Sequence, residues 1–225
     1  MSRNIIITGA GGNLGSAVVE KFAREGYHII ALVQPGKEYE LEDADDIYEV
    51  DVTDEKAVAE FIKEYHLQYG SVDALAFLVG GFAMGGIAAT SQADLEKMFT
   101  LNFFSAFHLV KGFLPIMKKQ DKGTFLFVGA RPALQITDAA GTLAYSLSKK
   151  LVISLAEIVG EETKNTPIRS HVFVPSIIDT PPNRESMPDA DFSKWVRAEE
   201  IAETMHYAVN THALRNMTFK LYGEV

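Results

Sequence analysis

The chain alternates between short runs of consecutive apolar residues and longer segments in which apolar residues recur every three or four positions. The first pattern predicts strands that are buried on both faces, and the second predicts helices with one apolar face. The predicted strands are Ile5–Thr8, Tyr27–Val33, Ile47–Val50, Asp73–Val79, Thr124–Val128, Ser170–Val174 and Met217–Leu221. The predicted helices are Asn13–Arg24, Glu55–Gln68, Ala93–Lys118, Leu143–Glu162 and Ala198–Asn210.

Strands that alternate with helices predict a parallel sheet with helices on both faces, which is an α/β, doubly wound, Rossmann-type fold. We expect a single domain over residues 1–225 with a sheet of about seven strands. Gln34–Asp46 is a predicted loop, Ser176–Lys194 is a predicted irregular flap, and Pro115 is expected to bend its helix. In such folds the ligand binds outside the carboxyl ends of the strands.

The turn after the first predicted strand, Thr8–Gly15, has the spacing Thr-Gly-x-x-Gly-x-x-Gly, and the helical pattern begins at Leu14. Glycine lets a backbone approach a ligand closely, and a helix N-terminus presents unpaired N–H groups with a partial positive charge. The turn therefore predicts a diphosphate site, although a glycine-rich turn of any other α/β protein would have the same appearance.

Charge and composition argue against several other kinds of site. The 225 residues carry a net charge of −9, which disfavours binding to nucleic acid and to anionic membranes. The chain has no cysteine, which excludes disulfides and cysteine–zinc sites, and its histidines lack metal-ligand spacing, so we expect no metal. No signal peptide and no apolar stretch of about 18 residues is evident, so we expect a cytoplasmic protein.

Tyr145 and Lys149 are four positions apart at the start of a predicted helix, so they share one face. The pKa of a free tyrosine is about 10, and a neighbouring ammonium group lowers it by favouring the phenolate. The pair is therefore a candidate proton donor. The same spacing also occurs on ordinary solvated helix faces.

Five features in chain order resemble the short-chain dehydrogenase/reductase family over nearly the whole chain. They are the glycine turn, Asp51, Asn102, the Tyr145-x-x-x-Lys149 pair and the stretch from Pro175 to Thr180. The resemblance implies an NAD(P)-dependent oxidoreductase in which Tyr145 donates a proton, Lys149 lowers its pKa and holds the nicotinamide ribose, and Asn102 holds a relay water. The implied cofactor-binding residues are Thr8, Gly9, Gly12, Asn13, Leu14, Gly15, Gln34, Asp51, Val52, Gly80, Gly81, Tyr145, Lys149, Pro175 and Thr180.

Three positions depart from the family pattern. Asn13 replaces the middle glycine of the turn, and Val79-Gly80-Gly81-Phe82 replaces the usual Asn-Asn-Ala-Gly. The serine that normally polarises the substrate carbonyl is absent, because Gly129-Ala130-Arg131 follows the fifth predicted strand. The hydroxyl residues near this position in the sequence are Thr142, Ser146 and Ser148.

At these departures, and in the stretch Asp179–Trp195, the sequence resembles the dihydropteridine reductases of that family. A quinonoid dihydropterin is already electrophilic, so its reduction depends less on a polarising serine. The resemblance implies hydride transfer to a planar conjugated substrate of this kind. The implied substrate contacts are Ala130, Arg131, Met187 and Trp195.

Several alternatives remain open from the residues alone. Met187, Phe192 and Trp195 either cover a flat substrate ring or close an apolar lid without touching it. Arg131 could orient a substrate, pair with a carboxylate or bind the cofactor phosphates. The whole chain could instead be a carbonyl or alcohol reductase in which Thr142 or a water replaces the serine, or a non-catalytic NAD(P)-binding sensor.

The residues after the second predicted strand bear on the choice of cofactor. An Asp or Glu there would bind the ribose 2′-hydroxyl of NAD and repel the 2′-phosphate of NADP. The segment Gln34-Pro35-Gly36-Lys37 carries no acid, and Lys37 could reach a phosphate, which favours NADP slightly over NAD. The alternative is that Lys37 is a solvated loop residue.

The helices Ala93–Lys118 and Leu143–Glu162 are apolar on more than one face. Surplus apolar surface of this kind predicts a subunit interface. Members of the resembled family commonly dimerise or tetramerise through these helices. We therefore expect a homodimer or homotetramer that acts on a small-molecule substrate.

Overall fold

The computed structural model describes residues 3–225. Seven strands form its central sheet: β1 Arg3–Thr8, β2 Tyr27–Val33, β3 Asp46–Glu49, β4 Ala74–Phe77, β5 Thr124–Val128, β6 Arg169–Pro175 and β9 Thr218–Leu221. All neighbouring pairs are parallel, in the order β3-β2-β1-β4-β5-β6-β9. The direction of winding reverses between β1 and β4, and such a switch point is where open α/β sheets bind ligands. The predicted doubly wound fold is confirmed.

Helices cover both faces of the sheet. Their bounds are α1 Asn13–Arg24, α2 Glu55–Gln68, α3 Gln92–Met98, α4 Ser105–Gln120, α5 Arg131–Leu134, α6 Ile136–Ala139, α7 Leu143–Glu162, α8 Pro181–Ser186 and α9 Ala198–Asn210. α1 and α9 pack on one face, and α2, α4 and α7 pack on the other. The bounds of α1, α2, α7 and α9 are those that the sequence predicts, whereas the short helices α5 and α6 were not predicted.

Strand β1 shows why apolar and polar residues do not alternate along the buried strands. Ile5 and Ile7 belong to the core beneath α1 and α9, and Ile6 belongs to the core on the opposite face. Successive side chains of a strand point to opposite faces, so a strand that is covered on both sides needs an apolar residue at every position.

The predicted helix over Ala93–Lys118 is continuous from Gln92 to Gln120. It leaves regular α geometry in a π-helical segment, Phe99–Phe104, and not at Pro115, which lies inside α4. The π-helical segment lies about three turns before Pro115, and the bend expected at this proline stays a prediction.

The helix Gln92–Gln120 also corrects the expectation that no segment has the character of a membrane span. By length and composition alone it could cross a membrane, and 39% of its most apolar stretch is buried. The core helices of globular proteins meet the same test. In this protein α4 packs its buried residues against the sheet and α2.

The segment predicted as an irregular flap, Ser176–Lys194, is more ordered than expected. It contains α8, a 3₁₀ turn at Phe192–Lys194, and β7 Ile178–Asp179, which pairs in parallel with β8 Val196–Arg197. Thr180 caps α8 by accepting a hydrogen bond from the Asn183 N–H. The expectation of irregularity is wrong because this local capping lets a proline-initiated helix form.

Candidate active site

The glycine turn joins β1 to α1 in a shape that other residues would disturb. Gly9 has a φ of +64°, in the left-handed region, and a Cβ atom at Gly15 would overlap the carbonyl oxygen of Gly9. Helix α1 begins at Asn13 without a side-chain cap and without an acidic residue in its first turn. The unpaired N–H groups of that turn are therefore available to an anion.

A cavity of about 590 Å³ opens between this turn and the carboxyl ends of the central strands. Its volume lies within the range of small-molecule sites. It is lined by Gly9, Gly11, Gly12, Leu32, Val33, Gln34, Lys37, Tyr39, Val50, Asp51, Val52, Thr53, Leu78, Val79, Gly80 and Leu101. This lining includes many of the residues implied as cofactor contacts, and a cavity bordered by an uncapped helix N-terminus fits the adenosine and diphosphate part of a dinucleotide.

Other implied cofactor residues do not line this cavity. The Thr8 hydroxyl accepts hydrogen bonds from the N–H groups of Leu78 and Val79, at 3.0 and 3.3 Å, and so holds β1 to the end of β4. Asn13, Leu14 and Gly15 open α1, Gly81 follows Gly80, Pro175 ends β6, and Thr180 caps α8. These residues lie at the carboxyl edge of the sheet or on the segments that follow it.

Lys149 and Asn102 come together at Gly80. The buried Lys149 amine donates to the Val128 carbonyl at 3.0 Å. A Cβ atom at Gly80 would lie 2.6 Å from Asn102 Oδ1 and 3.1 Å from Lys149 Nζ. Asn102 and Lys149 thus both approach Gly80, and a side chain at position 80 would displace at least the Asn102 amide.

Asn102 lies in the π-helical segment and is 2% exposed. Its Oδ1 accepts from the Gly81 N–H at 2.8 Å, and its Nδ2 donates to the Gly81 carbonyl at 3.1 Å. Nδ2 also donates to the Ser148 hydroxyl at 2.8 Å. The side chain is therefore fixed from two directions.

Ser148 is a site residue to which the sequence analysis gave no role. Its hydroxyl accepts from Asn102 and donates to the Tyr145 carbonyl at 2.7 Å. It thereby joins the π-helical segment to the helix that carries Tyr145 and Lys149. In the sequence, only the position of Ser148 next to Lys149 points to this role. The hydrogen bond to Asn102 joins residues 46 positions apart, so no local pattern reveals it.

Tyr145 lies half-buried at the start of α7, with its ring edge-to-face against Phe82 at a centroid distance of 4.9 Å. Burial raises the pKa of Tyr145 to about 12, and burial lowers the pKa of Lys149 to about 8. Burial alone accounts for the raised pKa of Tyr145, and the lowering by Lys149 that the family resemblance implies stays a prediction.

Comparison with known proteins identifies the family. A family model described as short chain dehydrogenase matches residues 3–191. The chain belongs to the short-chain dehydrogenase family. It is accordingly an NAD(P)-dependent oxidoreductase with a nicotinamide cofactor.

Individual relatives in this family are similar over most of the chain. Dihydropteridine reductase of Dictyostelium discoideum is 27% identical over 209 residues, which are 91% of this chain and 87% of that protein. Dehydrogenase/reductase SDR family member 6 of Rattus norvegicus is 30% identical over 194 residues, 84% of this chain and 77% of that protein. The structure of ElxO with NADP bound has a TM-score of 0.89 at 21% identity and covers 99% of this chain and 98% of that one.

Gly129-Ala130-Arg131 follows β5 where the family serine is expected, and Ala130, which precedes α5, is 3% exposed. The Thr142 and Ser146 hydroxyls, two possible substitutes, are buried and hydrogen-bonded to each other at 2.8 Å. The Ser148 hydroxyl is occupied by Asn102 and the Tyr145 carbonyl. These three hydroxyls are thus committed to contacts within the protein.

Arg131 pairs with a carboxylate, which was one of three possibilities from the sequence. Its Nε lies 2.8 Å from Asp138, its Nη1 donates to the Val225 carbonyl at 2.7 Å, and its guanidinium lies 5.8 Å from the Tyr222 ring centroid. The guanidinium therefore ties the segment after β5 to the last residues of the chain.

The remaining implied substrate contacts lie on the segment around α8. Met187 is half-buried, whereas Trp195 is 5% exposed and packs on Phe192 at a ring distance of 4.8 Å. Little of the indole is accessible to a ligand, which agrees better with the interpretation of these residues as a closed apolar lid. Within residues 3–225, no group of three or more His, Asp or Glu residues could hold a metal.

Proposed function

We propose that this oxidoreductase transfers hydride from a reduced nicotinamide cofactor to a planar conjugated acceptor of the quinonoid dihydropteridine class. The observation that carries the proposal is the state of the hydroxyls near the end of β5. Ala130 offers none, and Thr142 and Ser146 hydrogen-bond to each other. A conjugated acceptor is electrophilic without a donor on an isolated carbonyl, so it suits a site built in this way. The similarity to a dihydropteridine reductase supports the same substrate class.

In this proposal the protein supplies the proton and the cofactor supplies the hydride. Tyr145 donates its phenolic proton to the acceptor, which thus gains one hydride and one proton. The Lys149 amine, held by the Val128 carbonyl, binds the nicotinamide ribose beside Gly80. Asn102 fixes the backbone of Gly81 and supports the proton relay. Phe82, which is 61% exposed, offers an aromatic face next to Tyr145.

For the cofactor we propose NADP in slight preference to NAD. Gln34 and Lys37 line the cavity where β2 ends, and the amine of Lys37 would attract a 2′-phosphate. The residues implied by the family resemblance fit the adenosine and diphosphate part at Gly9, Gly12, Gln34, Asp51, Val52 and Gly80. Asn13, Leu14 and Gly15, at the N-terminus of α1, belong with the diphosphate. The set at the nicotinamide end comprises Thr8, Gly81, Tyr145, Lys149, Pro175 and Thr180.

We further propose that residues 1–225 act as one domain in a cytoplasmic homodimer or homotetramer. The sheet that runs from β3 to β9 includes strands from both ends of the described chain, which supports a single domain. Four large apolar residues remain exposed: Phe104 in the π-helical segment before α4, and Leu147, Leu151 and Ile158 on α7. An interface through these helices would bury them.

Steady-state assays of NADPH and NADH oxidation would test the function. We expect turnover with a quinonoid dihydropterin, and slower turnover with an aldehyde and a ketone matched for size. A higher kcat/KM for the isolated carbonyls would instead favour a carbonyl reductase. Cofactor binding without oxidation by any acceptor would favour a sensor.

Tyr145→Phe separates proton donation from cofactor binding. We expect it to abolish turnover, because the phenolic proton is lost, while titration calorimetry detects cofactor binding of unchanged affinity. Tyr207→Phe makes the same change at an exposed position of α9 outside the site and should retain turnover. Full activity of Tyr145→Phe would contradict the assigned role.

A further inference from the structure

The four residues that follow β2, Gln34-Pro35-Gly36-Lys37, include no acid, but a carboxylate reaches them from a neighbouring strand. β2 and β3 pair in parallel with Val33 opposite Glu49. From this position, Glu49 Oε2 accepts a hydrogen bond from the Gly36 N–H at 3.0 Å. The edge strand β3 thus brings a carboxylate to Gln34-Pro35-Gly36-Lys37, a segment that has no acidic side chain of its own.

This carboxylate is hydrogen-bonded to the loop that borders the cavity, although Glu49 itself is not among the lining residues. Gln34 and Lys37, which flank the contacted glycine, both line the cavity. In a Rossmann-type fold, an acidic residue in this region meets the ribose 2′-hydroxyl, and a positive charge accommodates a 2′-phosphate. Glu49 and Lys37 therefore bring opposite charges to the part of the site at which NAD and NADP differ.

The contact also fixes the loop over the glycine turn. The Tyr39 ring, three residues beyond Gly36, lies so close to Gly11 that a Cβ atom there would overlap it. The loop is therefore held at one end by Glu49 and further along by its packing on the turn. Both charged residues are exposed, and neither forms an ion pair within the part of the chain that the structure describes.

We propose that Glu49 is a specificity-determining residue that offsets Lys37 and keeps the preference between NADPH and NADH small. The inference rests on the proposed function only in requiring that the cavity bind a nicotinamide dinucleotide. A 2′-phosphate is attracted by Lys37 and repelled by the Glu49 carboxylate. The 2′-hydroxyl of NADH is uncharged and responds little to either residue.

Glu49→Gln tests this with little change of shape, because the amide oxygen can still accept from the Gly36 N–H. Dissociation constants for NADPH and NADH are measured by titration calorimetry without substrate. We expect NADPH to bind about fivefold more tightly to Glu49→Gln, the size of effect that one unit charge exerts near a protein surface. The affinity for NADH should stay within about twofold, and Lys37→Ala should weaken NADPH alone.

Two acids of the same loop provide the controls. Glu42→Gln removes an exposed charge that has no contact with Gly36 and should leave the ratio of the two affinities unchanged. Glu38→Gln removes the charge next to Lys37 in sequence. If the ratio of the NADPH and NADH affinities is unchanged in Glu49→Gln, the inference is overturned. A change of that ratio in Glu38→Gln alone would assign the effect to Glu38 instead. Failure of the unaltered protein to bind either dinucleotide would overturn the proposed function together with this inference.

Discussion

At the scale of single residues, Lys149 is an amine whose surroundings oppose its charge. Burial lowers its pKa from 10.5 to about 8, and one carbonyl, that of Val128, accepts its hydrogen bond. The hydroxyl groups of a cofactor ribose would provide further hydrogen-bond acceptors for this amine. Burying the charged Lys149 therefore lowers the free energy of unfolding, while it positions the amine to bind a ligand.

This conflict predicts how stability depends on pH. Between pH 8 and 10.5 the unfolded chain retains the Lys149 proton and the folded chain loses it, so the free energy of unfolding should rise with pH in this window. The rise attributable to Lys149 is on the order of 3 kcal/mol. Denaturant titrations of the wild type and Lys149→Met should therefore converge as pH increases. If the difference in the free energy of unfolding between the two proteins stays constant from pH 8 to 10.5, the lowered pKa of Lys149 is contradicted.

Ser148 makes a residue-scale prediction about positioning. Ser148→Ala removes the acceptor of an Asn102 N–H bond and the donor to the Tyr145 carbonyl. We expect kcat to fall about tenfold, the equivalent of one net hydrogen bond, with little change in KM. Ser148→Thr keeps the hydroxyl and should restore kcat. An equal loss in both variants would point to packing and not to the hydrogen bonds.

At the scale of elements, the β1–turn–α1 unit depends on a close contact between backbone atoms. Gly15→Ala would place a methyl group against the Gly9 carbonyl, and backbone on both sides prevents its relief by a rotamer change. We expect a loss of about 1–3 kcal/mol in the free energy of unfolding and loss of dinucleotide binding, measured by denaturant titration and calorimetry.

Gly141→Ala is the matched control for this change. A Cβ atom at Gly141 would meet nothing within 4 Å, so stability and cofactor binding should be retained. Equal behaviour of the two alanine variants would show that the turn tolerates a side chain, which would contradict its role as a closely approached diphosphate site.

At the scale of the whole molecule, the exposed apolar residues of α7 bear on assembly. Ile158 is 63% exposed, and the proposed interface would bury it. Sedimentation velocity at micromolar concentration should find a dimer or tetramer for the wild type and smaller species for Ile158→Glu, because a buried unpaired carboxylate is costly. Leu67→Glu, at a position 80% exposed on α2, should leave assembly unchanged. A monomeric wild type would contradict the interface.

Much of this architecture could be predicted from local patterns along the chain. The apolar runs and helical spacings predicted the central strands and the bounds of four long helices, because burial on two faces or on one leaves a periodic signature. The glycine spacing and the Tyr145–Lys149 interval likewise indicated the kind of site. These features depend on residues that are close in sequence.

Contacts between distant segments determined the rest. The Asn102–Ser148 hydrogen bond, the Gly36–Glu49 hydrogen bond and the Arg131–Val225 hydrogen bond each depend on how the segments pack in three dimensions. The raised pKa of Tyr145 follows the same logic, because burial of its side chain in the assembled fold causes it. No periodic pattern records such contacts, since side-chain direction and burial are set only when the whole sheet and its helices have assembled.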